Sequence, residues 1–485
     1  MKVELFVLLF FSSILYSNCE TIQECLRAIN PAIEVVEKSD ANYKYASYQW
    51  NLRNITYPRG FIFPNTGEDV KSAYYCLRKL DLKFAVKCGG HCMEKYSFGD
   101  VDKWVIDVAN LNTVTVNDTT KIAKIGAGSR FRDVIAKLYE QGKRGIPTGS
   151  CFSVCISGYT LGGGFSVFSR RFGMMVDNVV AMDVLTANMK IIHINSKSCS
   201  NLFWALRGGG GGNFVIVLYF YIQTFDASQS VLTSITPYDG KNEFITIYRQ
   251  WINYLRTNPP PSVGILLYYE NVTTFILQVV IKEDKIEVAL AHFEVIRQWF
   301  PKINFERDVR ILSHYDTMKR IGIPFFSNET VPYYYKTRSF YVRNWNPTEK
   351  EYQCLMHAVR AHPYVSLLLE AYGGAINNVP VTYNAFCHRD SIIVFVYGFN
   401  VYAGNGKTNE QAIEEALKLE VRLDYFRRLI EPCWDGGESY VNSIDIHEKN
   451  WGQRYYGINF ERLKEVKRNW DKNDTFKFPQ SIPLQ

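Results

Sequence analysis

Five consecutive glycines, Gly208–Gly212, stand between the apolar segments Phe203-Trp-Ala-Leu-Arg207 and Asn213-Phe-Val-Ile-Val217. A solvent linker is not flanked in this way. Glycines set against core segments mean a backbone that needs positive φ, or one that something else approaches closely. Two further clusters share this character: Cys88-Gly-Gly-His-Cys92 and the run from Gly158 to Gly164. Successive exposed backbone N–H groups cradle phosphate. Each cluster alone can be read as a bulge or turn. Three in one chain point to a large phosphate-bearing cofactor.

The 485 residues exceed one hydrophobic core and suit two or three domains. Hydrophobic residues at 47% and charged residues at 21% are ordinary globular proportions. The net charge of +7 is spread along the chain with no concentration of Lys and Arg. Nucleic acid is therefore not an expected partner. An aromatic share of 15% suits burial of large ring surfaces and names no ligand.

Lys2, an apolar run from Leu5 to Leu15, and Ser17-Asn18-Cys19 have the layout of a secretory signal peptide over residues 1–19. No second apolar run of spanning length follows, so no membrane association is expected once the signal is removed. A secreted protein beginning near Glu20 is the expectation. Asn-x-Thr sequons at Asn54, Asn117, Asn271, Asn328 and Asn473 fit that route. In an oxidising compartment at least one disulfide is expected, with Cys25 and Cys76 the best pair.

Residues 66–80 read as a helix, with Thr66 as N-cap, Asp69 three residues on, and Val70, Ala73, Tyr74 and Leu77 on one face. Strands are expected at Lys83–Val86, Trp104–Val108 and Lys121–Ile125, and a helix at Phe131–Gln141. Beyond about residue 226 glycine thins out. Longer strands read at Thr273–Ile281, Tyr364–Ala371 and Ser391–Val401, with helices at Lys285–Phe300 and Asn409–Arg428. This pattern suggests one sheet with helices on one face.

Several familiar motifs are missing. Gly126-Ala-Gly128 follows a strand and precedes a helix, but Phe131 stands where a dinucleotide fingerprint needs its third glycine. It reads as a tight turn. Cys88, His91 and Cys92 lack a second cluster to complete a tetrahedral site, so no metal is expected. No G-x-S-x-G elbow occurs.

The remaining motifs resemble the berberine bridge enzyme-like FAD oxidases, of the vanillyl-alcohol oxidase type superfamily. Lys87-Cys-Gly-Gly-His91 resembles their flavin-attachment loop. Gly149-Ser-Cys151-Phe-Ser-Val154, running on through Gly158 to Gly162-Gly-Gly-Phe165, resembles the second attachment segment. Ser169-Arg-Arg-Phe-Gly173, Asp177-Asn178, the segment from Phe203 to Asn213, Tyr455–Leu463 and Gln480–Pro483 continue the match in order. The middle of the chain, about 226 to 360, matches only in general character.

The resemblance implies FAD bonded covalently through His91 and Cys151. A histidine nitrogen and a cysteine thiolate are nucleophiles able to attack an electron-poor flavin ring. It further implies cofactor contacts at Lys87, Cys88, Gly89, Gly90, Cys92, Val154, Gly158, Gly162, Gly163, Phe165 and Asn213. Cys155, Ser157, Tyr159 and Val215 depart from the family pattern and place side chains near expected cofactor-contacting backbone. On the substrate side, the family pattern around Phe386-Cys-His388-Arg389 leads into a strand whose flavin-facing position falls at Tyr397. Alternation puts Ile393, Phe395, Tyr397 and Phe399 on one face. Tyr440-Val-Asn-Ser443 resembles a segment with two tyrosines three apart, Ser443 replacing the second. The catalytic base is thus left between Tyr397 and Tyr440.

The implied fold is α+β, the two-domain FAD-linked oxidase fold. An FAD-binding domain covers 25–225 and a substrate-binding domain of antiparallel sheet and helices covers 226–424. Residues 425–485 return to the FAD domain. The implied function is a secreted oxidase moving hydride from a small-molecule substrate (an alcohol, sugar or alkaloid-like amine) to FAD, with molecular oxygen as acceptor. Val154, three residues past Cys151, is small enough in the family's pattern to admit oxygen. Two alternatives stand beside this reading: a flavin dehydrogenase with another acceptor, and a secreted binding or defence protein with little turnover.

Overall fold

The computed structural model describes residues 20–239, 243–271, 274–305, 309–326, 333–343, 346–402, 407–433 and 437–485. The expected signal segment and the sequon at Asn328 lie outside these residues.

The chain opens with a four-stranded sheet in the order Glu34–Glu37, Gly60–Phe63, Trp104–Asp107 and Phe84–Lys87. Trp104–Asp107 runs parallel to both of its neighbours. The helix Gly67–Lys79 packs on this sheet. Its capping box pairs the Thr66 side chain with the Asp69 N–H and the Asp69 carboxylate with the Thr66 N–H. Val70, Ala73, Tyr74 and Leu77 are fully buried on its inner face. Cys76 on this helix is joined to Cys25 on the short helix Ile22–Ile29, as expected. A five-stranded antiparallel sheet follows, ordered Val114–Val116, Ile122–Gly126, Val215–Gln223, Val179–Thr186 and Ile191–Asn195. The Gly126-Ala-Gly128 turn leads from its second strand into the helix Phe131–Glu140.

The middle of the chain builds a seven-stranded antiparallel sheet. Its order is Val309–Leu312, Val231–Asp239, Thr274–Lys282, Val263–Asn271, Ser366–Ala371, Ile393–Tyr402 and Tyr333–Val342. Helices Phe244–Arg256, Ile286–Trp299, Glu349–Ala361 and Asn409–Ile430 share one core with alternate strand residues such as Leu267, Leu277, Leu369, Phe395 and Phe399. The opposite residues of the same strands, including Tyr341 and Val394, face a separate aromatic cluster with Phe165, Tyr372, Phe386 and Tyr440. This is an α+β fold with helices on one face of the sheet, and the other face is left for the site.

The C-terminal helix Phe460–Trp470 packs back onto the first unit. Leu463, Val466, Phe476 and Ile482 are buried in the same core as Ile106, Val184 and Ile216. A buried ionic seam fastens the sheet edge to the loop after His91. Lys336 is fully buried and bonds Glu94 at 2.6 Å and Asp445 at 2.5 Å. Asp445 also takes the Arg338 Nε at 2.7 Å, and Glu94 takes Arg53 at 2.5 Å. Removing one partner would strand a buried charge, so this seam is costly to break.

Candidate active site

The glycine clusters converge on one cavity of about 390 Å³. Lys87, Cys88, Gly89, Gly90, His91 and Cys92 form one wall; Cys151, Val154, Gly158 and Tyr159 form a second. Gly210–Asn213, Val215 and the C-terminal residues Phe476 and Phe478 complete the enclosure. Gly210 at φ +81° and Gly212 at φ +75° take the left-handed backbone that lets this loop turn along the wall. Asn213 is buried; its side chain donates to the Gly209 carbonyl at 2.9 Å and accepts from the Ile482 N–H at 2.8 Å.

His91 and Cys151 come from loops 60 residues apart in sequence and open on the same cavity. One hydroxyl lies between them. Ser153 Oγ is 2.9 Å from His91 Nε2 and 3.4 Å from Cys151 Sγ. The Trp50 indole packs against the imidazole, ring centroids 4.6 Å apart. Loss of solvation, with Arg130 and Lys95 nearby, holds the His91 pKa down to about 3, so the ring is neutral and nucleophilic at ordinary pH. Burial likewise brings Lys95 down to about 7 and pushes the Cys92 thiol up.

One of the departures from the family pattern makes a covalent link between the two loops. Cys155 is disulfide-bonded to Cys88, which joins the two loops directly beside His91 and Cys151. Ser157 donates to the Ala127 carbonyl, and the Tyr159 hydroxyl donates to the Pro147 carbonyl at 3.1 Å. Each added side chain is thereby absorbed by the scaffold.

Gly162, Gly163 and Phe165 do not line this cavity; they lie on the segment that leads from it to the aromatic cluster. A Cβ on Gly162 would sit 2.1 Å from Asn442 Oδ1, so glycine is what lets the C-terminal turn press on this loop. Gly163 lies under the Phe386 ring, and Phe165 stacks on Tyr372, centroids 5.4 Å apart and 8° from parallel. Tyr440 belongs to the same cluster and is 8% exposed. Its hydroxyl oxygen accepts from the Gly164 N–H at 2.9 Å and from Asn442 Nδ2 at 3.0 Å. Burial pushes its pKa up to about 12.

Tyr397 is a correction. The grouping of Ile393, Phe395, Tyr397 and Phe399 on one face holds, but that face carries the helices. The Tyr397 ring lies 5.3 Å from Phe426 of helix Asn409–Ile430, and the side chain is 1% exposed. It is a core residue on the side of the sheet away from the cavity. Val394 and Val396 occupy the site-facing positions of that strand.

The site-facing acid missed in the sequence is Glu370. It sits opposite Val394 and Leu266 in the sheet, with Leu369 beside it turned into the helix-side core. It makes no hydrogen bond or ion pair among the described residues, yet its charge acts on Tyr159, Tyr372 and Tyr440 together. Burial raises its pKa to about 8. A carboxyl so perturbed, next to the tyrosines of the aromatic cluster, marks a candidate functional group. The available signal was one Glu closing the apolar strand Ser-Leu-Leu-Leu-Glu-Ala. No motif distinguishes such a residue.

Among the described residues no group of His, Cys, Asp and Glu could hold a metal, and no helix is long and apolar enough to cross a membrane. An apolar cavity of this extent, bounded by glycine turns and holding a neutral imidazole and a thiol on adjoining walls, suits a tethered aromatic cofactor. Comparison with known proteins agrees. An FAD binding domain profile matches residues 58–195, and a "Berberine and berberine like" profile matches residues 439–483. An FAD-linked oxidoreductase of Bacillus subtilis, YgaK, is 28% identical, with 93% of this chain and 96% of the relative covered. Reticuline oxidase of Eschscholzia californica is 24% identical over 88% of this chain and 84% of its own. The structure of BBE-like 1 from Physcomitrella patens superposes with a TM-score of 0.85 at 24% identity, covering 96% of this chain and 99% of the other. Berberine bridge enzyme from Eschscholzia californica gives 0.84 at 21%, again covering 96% and 99%.

The fold and the site thus define an FAD-linked oxidoreductase. Within that class the two matched segments, one at each end of the chain, support a berberine bridge enzyme-like FAD oxidase.

Proposed function

We propose that this protein is a secreted oxidase carrying FAD bonded through both His91 and Cys151, and that it takes hydride from a small-molecule alcohol, sugar or amine and passes the electrons to oxygen. The observation that carries the reading is the meeting of His91 and Cys151 at Ser153 on the cavity wall. Bound FAD supplies the two-electron acceptor. The chain's residues do the rest. Lys87, Gly89, Gly90 and Gly210–Asn213 hold the cofactor along the cavity, with Val154 beside Cys151 leaving room for oxygen.

Glu370 takes the substrate's proton. Its carboxyl is raised to about 8, so it accepts a proton when ionised and holds it without a counter-cation. Tyr440 acts as a neutral hydrogen-bonding group, since two donors already address its oxygen and its pKa is well above neutral. The aromatic chamber of Phe165, Tyr341, Tyr372 and Phe386 excludes water around this exchange. Exposed sequon asparagines at Asn54, Asn117 and Asn473 support passage through the secretory route.

Acid precipitation tests the central point. The expected result is a yellow pellet from the wild type, flavin retained by His91→Ala and by Cys151→Ala singly, and flavin released only by the double variant. Complete release from the wild type overturns the reading.

A further inference from the structure

The inference concerns how the two attachment bonds are made, and it rests on the bicovalent reading above. Ser153 Oγ is 2.9 Å from His91 Nε2 and 3.4 Å from Cys151 Sγ. A hydroxyl has one proton to donate and lone pairs to accept with, and a neutral imidazole has one N–H. We propose that Ser153 is the positioning residue for flavin attachment: it accepts from His91 Nε2–H and donates to Cys151 Sγ, and so prepares both nucleophiles with a single hydroxyl.

The directions fit the chemistry. With its proton on Nε2, His91 keeps the Nδ1 lone pair free, and no hydrogen bond reaches Nδ1 among the described residues. A hydrogen bond donated to sulfur favours the thiolate, which is the reactive form. Each attachment replaces one C–H of the flavin and one N–H or S–H of the protein with a C–N or C–S bond. The two electrons and two protons released reduce one dioxygen to hydrogen peroxide. In the histidine step the departing proton is the one on Nε2, and the Ser153 hydroxyl relays it, taking that proton while its own passes on to solvent.

Ser153 is itself held rigidly. The backbone on either side is pinned to the turn before helix Phe131–Glu140, by Phe131 N–H to the Val154 carbonyl at 3.0 Å and Arg132 N–H to the Phe152 carbonyl at 3.1 Å. Arg130 Nη1 donates to the Ser153 carbonyl at 3.4 Å. The Cys88–Cys155 disulfide ties this loop to the one bearing His91. Gly89 makes the approach possible, since a Cβ there would lie 3.1 Å from the Ser153 carbonyl oxygen and 3.0 Å from the Cys155 nitrogen.

The test uses the flavin-free full-length protein with added FAD, in backgrounds that permit one bond each. In Cys151→Ala only the histidine bond can form, and in His91→Ala only the cysteine bond. Ser153→Ala is expected to slow acid-stable flavin incorporation by about tenfold or more in both backgrounds, and Ser153→Thr to restore it. Reversible FAD binding by the triple variant His91→Ala/Cys151→Ala/Ser153→Ala checks that the cavity is intact. Side-chain 15N shifts of His91 in the flavin-free protein read the tautomer directly: Nε2–H is expected in the wild type, lost or mixed in Ser153→Ala. An Nδ1–H tautomer in the wild type, or parental attachment rates in Ser153→Ala, overturns the role of Ser153 alone. A wild type with no acid-stable flavin overturns the bicovalent reading instead.

Discussion

The Tyr440 hydroxyl accepts a hydrogen bond from the backbone N–H of Gly164 at 2.9 Å, which ties the C-terminal segment to the glycine loop beside the aromatic cluster. Tyr440→Phe keeps the ring and leaves that buried N–H without its acceptor, while the Asn442 amide keeps only its bond to the Tyr159 carbonyl. A loss of about 1–3 kcal/mol in stability is expected, read from the denaturant midpoint. Flavin reduction should slow far less than for a lost base, because a phenol at about 12 does not ionise at working pH.

Glu370→Gln is expected to slow flavin reduction by about a hundredfold or more, measured under anaerobic stopped flow. The pH profile carries a second signature. A carboxyl with a pKa of about 8 is protonated at neutral pH and becomes a base only as pH rises through that value. The wild-type rate of reduction should therefore climb between about pH 7 and 9, and the limb should vanish in Glu370→Gln. A flat wild-type profile would remove Glu370 from the chemistry.

Tyr397→Phe should leave flavin reduction unchanged, since the hydroxyl lies in the helix-side core against Phe426. This residue also shows what the sequence could and could not convey. Alternation along Ile393–Tyr402 correctly groups Ile393, Phe395, Tyr397 and Phe399, because side chains on a strand alternate between faces. Alternation does not say which face meets the helices and which meets the cofactor. The larger aromatic stripe went to the helix layer, and the small residues Val394 and Val396 were left to the site. Glu370 was illegible for a related reason: a lone acid in an apolar strand acquires meaning only when the sheet aligns it with Tyr372 and Tyr440. The glycine turns, the capping box at Thr66 and the His91 and Cys151 loops were legible because each depends on residues adjacent in sequence.

The Cys25–Cys76 bond closes a loop of 51 residues. Replacing both with serine should lower stability by about 4 kcal/mol in the chain-entropy account. Non-reducing peptide mapping should recover Cys25 linked to Cys76, Cys88 to Cys155 and Cys354 to Cys433, with Cys92, Cys199 and Cys387 alkylated as free thiols.

Val154 lines the cavity beside Cys151. Val154→Leu adds one methylene into the space that Val154 leaves for oxygen, so it should slow reoxidation of the reduced protein by air-saturated buffer strongly and leave reduction by substrate nearly unchanged. Equal reoxidation rates in the two proteins would show that oxygen arrives by another route.

The buried ammonium of Lys467 donates to the Asn213 carbonyl at 2.8 Å, the Phe476 carbonyl at 2.7 Å and the Asp471 carboxylate at 2.8 Å. It thereby clasps the wall after the five glycines to the stretch containing Phe476 and Phe478. Those two aromatics are made after every other wall of the cavity. During synthesis the nascent chain therefore exposes an open trough, not an enclosed chamber, until this stretch has emerged and folded back. The cavity is accordingly enclosed only once this stretch has folded back, and a nonsense change anywhere before Phe476 is expected to yield a colourless protein even when His91 and Cys151 are both present.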